Sequence, residues 1–182
     1  MTAASPDTLQ LNAKFARNFE LAELVNEDLL IPQLEADSKI GAIKELIDRL
    51  YRGGIVTDSL SFLQSVLERE TLQSTILGGN VALPHARSRS AGKLGLAVGT
   101  TSRPIDFPSG DDRCGIQMIC LIAVPSHAPD LYLSLLASLA RTLVDSDLKN
   151  GLLHAESAAQ MHRLLTEPQL SQTSIHLPNK EG

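Results

Sequence analysis

Hydrophobic residues recur at helical spacing twice in the first half of the chain. Ile40, Ile43, Ile47 and Leu50 repeat behind Asp37 or Ser38, either of which can cap a helix, and Gly53-Gly54 stops it. Asp58 or Ser59 opens a second helix with Phe62, Leu63, Val66 and Leu67 on one face. Glu68-Arg69-Glu70 closes that helix, so Arg69 sits beside the loop that follows. From Ser74 the texture becomes that of strands. Val81-Ala82-Leu83 is short and apolar, Leu94, Leu96 and Val98 alternate as in a half-buried strand, and Ile116 to Val124 is nearly unbroken apolar sequence. Such a run suits a central strand covered on both faces. Leu131, Leu135, Leu136 and Leu139 then mark a long helix after Pro129-Asp130, and Ser157-Ala-Ala-Gln160 has capping-box spacing ahead of Met161, Leu164 and Leu165. Helix, helix, strands, helix, helix predicts an α/β fold with a mixed sheet between two helical layers.

Outside this pattern the chain is polar. Residues 1–23 and 168–182 lack apolar periodicity and are expected to be flexible extensions around a single domain at 24–167. The chain has 182 residues, 43% of them hydrophobic and 20% charged, which fits one soluble globule. Sixteen basic against twenty-one acidic residues give a net charge of −5 with no dense basic run, which argues against nucleic acid. The start of the chain has neither the basic nor the apolar region of a signal peptide, and no apolar stretch approaches a membrane span, so a cytoplasmic location is expected. The two cysteines, Cys114 and Cys120, make no disulfide framework.

Absent motifs exclude more chemistry. There is no G-x-x-x-x-G-K-[ST] loop for a nucleotide triphosphate, Gly78-Gly79-Asn80 is not a dinucleotide fingerprint, and no cofactor is expected. The five histidines show no zinc spacing with the cysteines, and G-x-S-x-G is missing. What remains is the stretch Arg69 to Arg87. A short strand delivers His85 toward the C-terminal edge of the sheet, with Pro84 stiffening the approach. Ser74, Thr75 and the glycine pair offer hydroxyls and amides, while Arg69 and Arg87 bring guanidinium forks that match phosphate oxygens. A neutral imidazole can attack phosphorus through one nitrogen while the other fixes its tautomer by a hydrogen bond. The same residues also fit plainer roles: Arg69 as a helix-end cation, Arg87 as a solvated charge, Ser74-Thr75 as a turn and Gly78-Gly79 as a tight bend. His127, in the loop Pro125 to Pro129, could reach the same edge as His85, and His154 and His162 are expected on helix surfaces.

Arg-Glu-x-x-x-Ser-Thr, then Gly, then Val-Ala-Leu-Pro-His-Ala-Arg, resembles the enzyme IIA domain of the bacterial sugar phosphotransferase system, fructose/mannitol/nitrogen-regulatory type. The likeness extends to Pro104-Ile105-Asp106-Phe107, Asp112, Leu121-Ile122-Ala123-Val124-Pro125 and the helix ending Leu139-Ala140-Arg141. It implies a three-layer α/β/α sandwich whose mixed sheet presents one phosphorylatable histidine, here His85. In that family the histidine takes a phosphoryl group on Nε2 from phosphohistidine on the carrier HPr, or a nitrogen-branch paralogue. The group then passes to a cysteine on a IIB domain, or its presence serves as a signal. By position, Arg69 matches the arginine beside the phosphoryl group, Ser74 and Thr75 the hydroxyl pair, and Arg87 a basic position after the histidine. Many members carry a second histidine near the start of the long helix, where this chain has Tyr132. Asn80 and Cys114-Gly115 are further departures. His127 is a candidate to compensate for the missing histidine.

Two functions follow from the resemblance: a phosphoryl carrier, and a regulator whose phosphorylation state selects its partner. A small hydrolase built on His85 would need a base and an electrophile that the sequence does not supply.

Overall fold

The computed structural model describes residues 23–109 and 112–167. The two expected extensions therefore lie outside the described residues, except for Glu23. A short 3-10 turn at Glu27–Leu29 leads into β1 (Leu30–Ile31), followed by α1 (Lys39–Arg52) and α2 (Ser59–Leu72). Then come β2 (Ile76–Gly78), β3 (Val81–Ala82), β4 (His85–Ser88), β5 (Gly95–Ser109) and β6 (Asp112–Pro125). The chain closes with α3 (Pro129–Val144), α4 (Ser146–Leu153) and α5 (Ala158–Thr166).

Side-chain caps fix the helix starts. Ser38 Oγ accepts from the Gly41 N–H of α1 at 3.3 Å, and Asp58 Oδ1 accepts from the Ser61 N–H of α2 at 3.0 Å. Ser157 Oγ accepts from the Gln160 N–H of α5 at 3.2 Å. Gln160 reaches back to the Glu156 N–H at 3.0 Å, one residue before the cap, so the predicted capping box forms in a shifted version. Ile40 is 51% exposed, because the buried stripe of α1 runs through Ala42, Ile43, Leu46, Ile47 and Leu50 and leaves its first turn outside. The side chain of Leu131 lies outside the described ones.

The sheet is mixed and has six strands, in the order β1-β5-β6-β3-β2, with β4 also paired to β6. β5 and β6 are antiparallel, β1 runs parallel to β5, and β3 and β4 both run parallel to β6. As expected, β6 is central and buried on both faces. Ile119, Leu121 and Ala123 meet Ile43, Leu46, Ile47, Phe62 and Val66 from α1 and α2. Met118, Cys120, Ile122 and Val124 meet Leu135, Leu139, Leu148, Leu152 and Met161 from α3, α4 and α5. This alternation makes the three-layer α/β/α sandwich from one strand outward.

The predicted strand over Val81–Leu83 is interrupted. β3 ends at Ala82 and β4 resumes at His85 against the same strand, so Leu83-Pro84 is a break within one line of pairing. Pro84 has no N–H to give the ladder, but its carbonyl still accepts from the Ile122 N–H at 3.0 Å. His85 therefore opens a strand at this break; it does not stand at a strand's C-terminal end.

Candidate functional site

Just after the break, the His85 ring faces Tyr132 of α3. Nδ1 of His85 lies 2.9 Å from the Leu83 carbonyl oxygen, which can only accept, so Nδ1 carries the proton. In the neutral ring Nε2 then holds the lone pair. Tyr132, in the first turns of α3, donates its hydroxyl to that nitrogen at 2.5 Å, with the two ring centroids 4.8 Å apart and tilted by 39°. His85 is 8% exposed, but its ring lines an open cavity of about 410 Å³ together with Arg69, Ser74, Thr75 and Tyr132.

Burial holds the imidazole below its ordinary pKa of 6.5; the Leu83 carbonyl pulls the other way, Arg69 adds to the lowering and Glu70 opposes it. Burial also pushes the Tyr132 phenol upward, against the opposing positive charges of Arg69 and Arg87. Near neutral pH the pair is thus an uncharged nucleophile covered by an uncharged donor. Arg69 comes from the last turn of α2, where its Nη1 donates to the Gln73 carbonyl at 2.9 Å. Arg69 thus lies at the helix end and also lines the cavity.

The remaining expected groups divide. Ser74 lines the cavity, and its Oγ accepts weakly from the Ile76 N–H at 3.4 Å. Thr75 lines the cavity too, but its hydroxyl proton is given to Oε1 of Glu70. Gly78 and Gly79 have φ of +120° and +60° and form the β2–β3 turn, which is the tight-bend reading of that pair. Arg87 is exposed, and by strand alternation it shares the face of β4 that carries His85. It approaches Tyr132 closely enough to bias the phenol but is not in the cavity wall. His127 is exposed in the β6–α3 turn and does not line the cavity. Among the described residues, no group of three or more His, Cys, Asp and Glu side chains is placed to hold a metal ion.

Glu70 and Lys39 form a contact that no sequence motif marks. The Glu70 side chain is 4% exposed and pairs through Oε2 with Lys39 Nζ at 2.5 Å. A cation at the first position of a helix opposes the macrodipole, and that mismatch was the available signal.

Known proteins share this arrangement of chain and fold. Residues 23–167 match the family described as "Phosphoenolpyruvate-dependent sugar phosphotransferase system, EIIA 2". The fructose-specific EIIA component of Haloferax volcanii is 32% identical over 130 residues, covering 71% of this chain and 84% of that protein. A nitrogen regulatory protein of Bradyrhizobium diazoefficiens is 29% identical over 148 residues, covering 81% and 95%. The fructose-specific EIIABC component of Bacillus subtilis is 27% identical, but this chain spans only 22% of its length. Among solved structures, the nitrogen regulatory protein IIA-Ntr of Neisseria meningitidis superposes with a TM-score of 0.71 at 25% identity, covering 80% of this chain and 99% of that one. No helix among the described residues is long and apolar enough to cross a membrane.

Proposed function

Because the chain belongs to the EIIA 2 family of the phosphoenolpyruvate-dependent sugar phosphotransferase system, we propose that His85 accepts a phosphoryl group on Nε2 from an HPr-type carrier and passes it to a IIB cysteine. One observation carries this reading: Nδ1 is tied to the Leu83 carbonyl, which leaves the Nε2 lone pair on the cavity side beside Arg69. The Nε2 lone pair forms the new N–P bond as the donor's N–P bond breaks, and that electron pair returns to the donor imidazole. The Nδ1 proton stays in place, and the positive charge developing on the ring is shared with the Leu83 carbonyl. Arg69 and the Ser74 hydroxyl meet the transferring oxygens. Tyr132 gives up its bond to Nε2 and donates to a phosphoryl oxygen, so the phenol first covers the nucleophile and then supports its product.

A protein donor suits the rim. Leu77, in the cavity wall, is 45% exposed, an apolar margin that a second protein can cover briefly. Onward transfer to a IIB domain accords with relatives named EIIABC components. A regulatory role for the same phosphorylation is the second reading, favoured by the nitrogen regulatory proteins matched over nearly their whole length. Incubation with phosphoenolpyruvate, enzyme I and HPr, followed by addition of isolated IIB domains or sensor kinases, tests both. Label leaving the chain for a IIB cysteine supports the carrier. Label that stays while kinase binding changes supports the regulator, and a chain that never takes label refutes both.

A further inference from the structure

We propose that the Lys39–Glu70 ion pair, whose carboxylate is buried and whose ammonium is partly exposed, positions His85 through Thr75 and Leu83, a role that builds on His85 being the phosphoryl acceptor. A continuous line of contacts runs between them. Lys39 Nζ meets Glu70 Oε2 at 2.5 Å, and Glu70 Oε1 accepts the Thr75 hydroxyl. The Thr75 carbonyl accepts from the Leu83 N–H at 2.9 Å, and the Leu83 carbonyl accepts from His85 Nδ1–H at 2.9 Å. Four residues from α1, α2 and the loops beside β2 and β4 thus decide which nitrogen of the ring is bare.

The ion pair is poorly explained by stability. Burying the Glu70 carboxylate against a half-buried ammonium gains little over apolar groups of the same size, although removing one partner alone is costly. Lys39 moreover stands at the first position of α1, whose first turn has no acidic residue, so the helix dipole opposes its charge. What offsets this is local: Glu70, and the Phe107 ring with its centroid 5.1 Å from Nζ. The arrangement makes sense if its purpose is to hold a buried carboxylate in one place. Held there, Glu70 fixes the Thr75 hydroxyl, Thr75 fixes the Leu83 N–H, and the break at Leu83-Pro84 cannot drift. Thr75 is then a positioning residue, and Arg69 with Ser74 is left to meet the phosphoryl oxygens.

The imidazole tautomer can be read by nitrogen NMR on the unphosphorylated chain, with no phosphoryl donor present. Wild type should show the proton on Nδ1. In Lys39→Met/Glu70→Met, which replaces both charges by apolar side chains of similar size and strands neither, a share of Nε2-protonated ring should appear. The rate of acceptance from phospho-HPr should fall on the order of tenfold at unchanged KM for the donor. Adding Thr75→Val to the double variant should cost nothing more, because both changes cut the same line. An unaltered tautomer and rate in the double variant would overturn the proposal. So would a further loss from Thr75→Val with the tautomer unchanged, which would make Thr75 a direct phosphoryl contact. Failure of wild type to accept phosphate, by contrast, would sink the functional reading while the tautomer result still decides the positioning claim.

Discussion

The Tyr132 hydroxyl and His85 Nε2 are 2.5 Å apart, so the atom expected to attack phosphorus is already hydrogen-bonded in the resting protein. Removing the hydroxyl affects both sides of the transfer. The resting state loses a neutral bond worth about 1 kcal/mol, and the phosphorylated state loses a bond to a charged oxygen worth about 2 kcal/mol. The second loss is larger. Tyr132→Phe should therefore shift the equilibrium of label between HPr and this chain toward HPr by about fivefold, since 1.4 kcal/mol is tenfold. An equilibrium that moves the other way would mean that the phenol only blocks the ring.

Acid sensitivity follows from the buried imidazole. Its pKa lies below the ordinary 6.5, mainly through desolvation, so the nucleophile is neutral above that pH. Phosphoryl acceptance, with the donor's own profile divided out, should be flat above 6.5 and fall only as pH drops through the lowered value. Stability follows the same sign. Below 6.5 the unfolded chain takes up a proton that the folded chain still refuses, so stability present above 6.5 is lost as pH falls through the folded pKa. Urea unfolding of wild type and His85→Asn across that window measures it, and the variant should lose less stability on acidification.

The cysteines should behave unequally. Cys120 is buried among the residues that face α3, and burial pushes its pKa up to about 12, whereas Cys114 is only partly buried and packs on the opposite core. A thiol reagent should modify Cys114 in the native protein and reach Cys120 only on unfolding. Two rapid equivalents under native conditions would contradict the packing around β6.

Much of this was legible in the chain. The run Ile116 to Val124 announced a strand buried on both faces because every second residue serves a different core. Ser38, Asp58 and Ser157 announced helix starts because capping is local chemistry. The stretch Arg69 to Arg87 singles out His85, Arg69 and Ser74, which the structure brings to one cavity, but their distances are not written in the sequence. α4 was missed because Asp145 ends α3 and also caps α4, accepting from Asp147 and Leu148 N–H groups at 2.9 and 3.1 Å, so no gap separates the two helices. β1 and β2 are too short to show a period of two. The Lys39–Glu70 contact joins two helices, and only packing brings such partners together. The Thr75 hydroxyl and the Glu70 carboxylate are both visible in sequence, but the bond between them is set by how the chain turns after α2.

Site-resolved phosphorylation of His85 is the most direct test. After incubation with phosphoenolpyruvate, enzyme I and HPr, wild-type protein should carry one acid-labile phosphoryl group, mapped by alkaline digestion and phosphorus NMR to Nε2 of His85, and folded His85→Ala should carry none. Label retained by His85→Ala, or found on another residue of the wild type, would contradict the account.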